Sequence, residues 1–199
     1  MHRLTACVAA TAIALSALAA PAHAATVAQK DKEGTCAVSL TAGEKQFIST
    51  LFDESKAIGE HEQARDFIAA VESVYPGVIA ENEKTLKGEE ADLTKVLPAQ
   101  LAGQYASAQK TLKETHPTTE RTLEDINTDS WHVGSDTKPV ELPFAVAKSD
   151  AALYDAWSTT PAGKVAVKQV QLSDADVAAA AACAKGPRRM WITPPRSQI

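Results

Sequence analysis

The sequence predicts a mainly α protein: a single antiparallel helical bundle-like domain carrying one long irregular loop at about 128–148. Three observations lead there. Apolar residues recur three and four apart in several segments, Thr41 and Ser173 each open a capping-box spacing, and proline or glycine stands where most apolar stripes stop. The length of 199 residues, 45% hydrophobic and 23% charged, suits one domain with tails.

Thr41 followed by Glu44 starts the first helix, in which Phe47, Ile48, Leu51, Phe52 and Ile58 keep helical spacing. Gly59 interrupts it. Ala64, Phe67, Ile68, Val71, Val74 and Tyr75 form the next stripe, with Glu62, Arg65, Asp66 and Glu72 expected on a solvated opposite face, and Pro76 ends it. A weaker helix runs from Gly77 to Leu86, where Gly88 breaks it. Leu97, Leu101, Tyr105, Ala108 and Leu112 then make a narrow seam, Pro98 fits the first turn, and His116-Pro117 closes the segment. Thr118 or Thr119 is expected to cap a short successor bearing Leu123 and Ile126.

From Thr128 to Lys148 the helical period vanishes, and Gly134, Pro139 and Pro143 mark a loop with room for a short strand pair. Ser149 is expected to cap a helix holding Leu153, Tyr154 and Trp157. Residues 161–172 fit helix or strand, with helix preferred, and Ser173 with Asp176 predicts a separate start for the Ala-rich segment to Ala184.

The first 24 residues read as a signal peptide. Arg3 provides a positive start, Ala6 to Ala20 a short apolar run, and Ala22-His23-Ala24 a small-residue cleavage pattern, so cleavage near Ala24 is expected. Losing Arg3 moves the formal charge from -5 to -6. Residues 25–35 are polar and read as a flexible arm, residues 36–186 as the helical domain, and residues 187–199 as a basic, proline-containing tail. The expected location is secreted, periplasmic or cell-envelope.

Export leaves two cysteines, Cys36 and Cys183, and an isolated pair in an oxidising compartment predicts a disulfide. Closing so long a loop contributes roughly 4 to 5 kcal/mol in the chain-entropy account.

Chemical motifs are weak. His61-Glu62 begins like a zinc-protease helix, but Arg65 occupies the place of the second histidine. Gly163-Lys164 lacks the upstream glycine and the following hydroxyl of a phosphate loop. A helical enzyme that clamps a dicarboxylate needs several Arg and Lys side chains on facing helices, and the only arginines in the helical half are Arg65 and Arg121. The acidic pI of about 5.5 argues against nucleic-acid binding, and no segment is predicted to span a membrane.

The richest region is 131–157. Trp131, His132, Phe144, Tyr154 and Trp157 cluster there, either pinning the long loop or lining a ligand site at Trp131, His132, Tyr154 and Trp157. The sequence therefore predicts an exported, non-catalytic protein that binds a small apolar ligand or an envelope partner, with no catalytic residue and no resident metal or cofactor. The alternatives are a small secreted all-α enzyme, or a haem or metal capture protein using Tyr75, Tyr105, Tyr154, His116 and His132. The tail, with Arg188, Arg189, Trp191 and Arg196, can touch an anionic surface.

Overall fold

The computed structural model describes residues 26–28, 34–119, 126–134, 136–140 and 150–185. Among these residues it is mainly helical: α1 (Ala42–Ser55), α2 (Glu60–Val74), α3 (Gly77–Leu86), α4 (Ala99–Glu114), α5 (Ala151–Ser158) and α6 (Pro161–Lys185), with a 3-10 turn at Leu93–Lys95. Three short strands, β1 (Thr26–Val27), β2 (Thr35–Ser39) and β3 (Trp131–Gly134), form an antiparallel sheet in the order β1-β2-β3.

The helix starts follow from capping chemistry. The Thr41 hydroxyl accepts from the Glu44 amide, and the Glu44 carboxylate accepts from the Thr41 amide at 2.7 Å, so two otherwise orphan donors at the head of α1 are satisfied. At α5 the capping residue is Asp150, not the expected Ser149: its carboxylate accepts from the Leu153 amide and also from the Tyr75 hydroxyl. Gly88 ends α3 with a positive φ of 74°, a conformation that favours glycine.

The main core lies where α2, α4, α5 and the first part of α6 meet. Phe67, Val71, Val78, Tyr105 and Trp157 are fully buried there. The close approach of α5 and α6 needs Gly163, because a Cβ at that position would stand 2.0 Å from the Trp157 carbonyl oxygen.

Two carboxylates expected on the solvated face of α2 are buried instead. Asp66, 5% exposed, accepts from the Ala162 amide at 2.8 Å and pairs with Arg65, so α2 supplies an N-terminal cap to α6. Glu62 accepts from the Thr118 amide and hydroxyl and from the Gly59 amide, tying the segment after α4 to the head of α2. Burial opposes its charge, but these bonds together with that of its own amide hold its pKa down at about 2. Gly59 has to be small for this approach, since a Cβ would meet the Thr118 hydroxyl oxygen at 2.2 Å. Glu72 accepts from the buried Tyr105 hydroxyl at 2.7 Å, and Asn82 and Gln109 extend that network.

A second, smaller core forms between the sheet and the end of α6, from Cys36, Val38, Val133, Ala180 and Cys183. Cys36 and Cys183 are joined by a disulfide, with a Cα–Cα distance of 5.9 Å, as the cysteine count predicted.

Three further expectations change. Thr26, Val27 and Thr35, assigned to a flexible arm, belong to strands, because Val27 pairs with Val38 and Thr35 with Gly134. Residues 161–172 are helical, and no second start occurs at Ser173: α6 runs unbroken for 25 residues, about 37 Å. Ser173 and Asp176 spend their capping chemistry on tertiary contacts, accepting from the Val140 amide at 2.7 Å and the Trp131 indole N–H at 2.8 Å. Finally, α1 stops at Ser55, short of Ile58. The leader, the basic tail, Phe144, and Leu123 of the proposed short helix lie outside the described residues.

Candidate apolar cleft

Alternation along the strands decides which side chains reach the candidate site. Cys36 and Val38 on β2 are buried while Ala37 and Ser39 are exposed, and β3 matches them in register, Val133 opposite Cys36 and Trp131 opposite Val38. These four face α6. Alongside them lies a cleft of about 490 Å³ bounded by β1 and β2, by the first turns of α1, and by the second half of α6. Its volume falls in the range of small-ligand sites.

The walls are mostly apolar. Val27, Val38 and Leu40 come from the sheet side, Phe47 and Ile48 from α1, and Leu172, Ala175, Ala179 and Ala182 from α6. The apolar part of the α6 contribution is a helical stripe that is alanine at every position after Leu172, so the helix presents an apolar face without filling the space before it. Trp131 completes the wall.

The polar groups of the cleft are Gln171, Glu44, Asp174 and Asp176. Glu44 is committed to Thr41, whose amide and hydroxyl both donate to it at 2.7 Å. Asp176 accepts from Trp131, and burial raises its pKa above the ordinary carboxylate value, against the lowering effect of the indole N–H. No lysine, arginine or histidine lines the cleft among the described residues.

The four residues expected to form a ligand site do not share one cavity. Trp131 is a half-buried wall of the cleft. His132, next in β3, faces away and is exposed, its Nδ1 3.3 Å from the Ser130 carbonyl oxygen. Tyr154 and Trp157 sit together in the other core, with ring centroids 6.4 Å apart, and Trp157 is only 1% exposed. Sequence reasoning missed the α6 wall because an alanine stripe carries no ring and no chemistry to mark it, and the α1 wall because Phe47 and Ile48 read only as part of a helix stripe.

The remaining candidates are also engaged elsewhere. The Tyr75 hydroxyl donates to Asp150 and that of Tyr105 to Glu72, and each carboxylate contact raises the tyrosine pKa; for Tyr105 burial is the larger cause. His61, expected on a solvated face, is half-buried with Nδ1 3.3 Å from the Thr115 hydroxyl, and His116 is exposed. Among the described residues no three His, Cys, Asp or Glu side chains converge as a metal site, and no helix is long and apolar enough to cross a membrane. Arg65, one of the two arginines considered for a catalytic clamp, is bound to Asp66.

Fold and cleft together define a mainly α protein whose small sheet is stapled to its last helix beside a ligand-sized apolar cleft. No protein-family model, curated protein or solved structure matches the chain.

Proposed function

We propose that this is an exported, non-catalytic protein that binds a small apolar ligand in the cleft between the sheet, α1 and α6. The observation that carries the reading is the cleft itself: about 490 Å³ of space with apolar walls from three elements and few polar groups. The disulfide supports an oxidising destination, and the leader-like residues 1–24 supply a route to it. An intact mass of the secreted chain beginning at Ala25 checks the export half.

Binding is tested with N-phenyl-1-naphthylamine, a neutral apolar dye that brightens when it leaves water. Titration is expected to saturate at one site per chain. An Ala179→Trp variant, which fills the cleft from a half-buried position, is expected to abolish the signal while leaving the circular dichroism spectrum unchanged. Dye binding that does not saturate, or that is equal in a folded Ala179→Trp variant, overturns the reading.

A further inference from the structure

The cleft is polar at one end only. The disulfide holds Cys36 against Cys183, while Trp131, paired with Val38 two residues further along β2, reaches Asp176. Moving along β2 from Cys36 toward Leu40 therefore runs back along α6 from Cys183 past Asp176. The lining carboxylates gather toward that far end, Asp174 and Asp176 on α6 and Glu44 just after Leu40 at the head of α1, whereas Ala178, Ala179 and Ala182 continue toward the disulfide without a polar side chain.

From this polarity we infer that the cleft takes an elongated apolar molecule with a single cationic head, a long-chain amine in chemical class, with the head at Asp174 and Asp176 and the apolar body lying along the alanine stripe. The inference rests on the ligand-binding reading above. Charge complementarity carries it: three carboxylates line the cleft, and among the described residues no basic side chain does. An anionic head would meet uncompensated repulsion. The three carboxylates differ in how much they can offer. Glu44 is already bonded twice to Thr41 and contributes field more than contact. Asp176 receives only the Trp131 indole among the described residues, and Asp174, exposed at the rim, forms no ion pair with a described residue. The rings of Phe47 and Trp131 line the same space and add faces that favour a cation.

The test uses the full secreted chain and three probes of equal length, dodecylamine, dodecanol and dodecanoate, each kept below its micelle concentration and scored by displacement of N-phenyl-1-naphthylamine at pH 7. The amine is expected to displace the dye at about tenfold lower concentration than dodecanol, with dodecanoate weakest. In Asp174→Asn/Asp176→Asn the amine is expected to fall to the level of dodecanol, and saturable displacement by dodecanol shows that the variant is folded. If the double variant does not fold, Asp174→Asn alone, at the exposed rim, is expected to remove part of the preference. Dodecanol or dodecanoate matching the amine, or a preference that survives the substitutions, overturns the inference and leaves apolar binding standing. Failure of the dye to bind saturably removes both. A synthetic peptide of residues 187–199 that displaces the dye more strongly than dodecylamine, or dye binding lost as protein concentration rises, also overturns it, assigning the cleft to the chain's own basic tail or to a second copy.

Discussion

The two ends of α6 are buried in different ways. Its first turns pack into a core built from Phe67, Tyr105 and Trp157, side chains large enough to exclude water by size alone. Its last turns pack against the sheet through Val38, Val133 and Ala180, and the largest covalent feature there is the Cys36–Cys183 bond. Where apolar burial is thin, a covalent link restricts the unfolded chain instead, as small domains with little core tend to require. The same economy of side chains leaves the cleft open, because alanines on α6 face it.

Breaking the link is the sharpest way to test this contrast. The Cys36→Ser/Cys183→Ser variant is expected to lose roughly 4 to 5 kcal/mol of stability in urea unfolding, with the fluorescence change of Trp131 preceding loss of helical circular dichroism. Simultaneous loss of both signals would show that the sheet is not the weaker part. In the large core, Trp157→Ala removes a ring that is 1% exposed and is expected to cost about 3 to 5 kcal/mol, with both signals falling together.

The carboxylates of α2 give smaller effects with a defined direction. Because the folded protein holds Glu62 at about 2, against an ordinary value of 4.5, its contribution is present above pH 4.5 and is lost as pH falls toward 2. It amounts to up to about 3 kcal/mol, and Glu62→Gln is expected to flatten the acid limb of a stability profile by that amount. Asp66→Ala leaves the Ala162 amide without its cap and is expected to cost about 2 kcal/mol by chemical denaturation. The smallest effect belongs to the sheet region, where Trp131→Phe removes the bond to Asp176 together with part of a half-buried ring, a loss of about 1 kcal/mol in the same measurement.

Helices α1, α2, α3 and α4 were legible because each joins a stripe or a cap to a proline or glycine boundary, and the disulfide because only two cysteines remain once the leader is set aside. The sheet was not. Its strands are two, five and four residues long, too short for alternation to stand out, although Cys36 and Val38 alternate with Ala37 and Ser39. The break expected at Ser173 failed because a capping residue inside a helix can bond to another element, and nothing in the local sequence separates the two uses. Asp66 and Glu62 resembled solvated charges for the same reason: their partners, Ala162 and Thr118, are 96 and 56 residues away. Of the candidate site, Trp131 alone was anticipated as a cleft wall. Tyr154 and Trp157 drew attention by being aromatic, a property that core packing and ligand recognition share.

The unbroken course of α6 has a consequence for backbone amide exchange. Amides near Val165 are expected to exchange with solvent deuterium only when the whole domain opens, whereas those near Ala180 are expected to exchange when the sheet lifts away and the last turns fray, an excursion the disulfide should suppress and a thiol reductant release. A single helix is thus expected to show two levels of protection, with the change between them falling along the wall of the cleft.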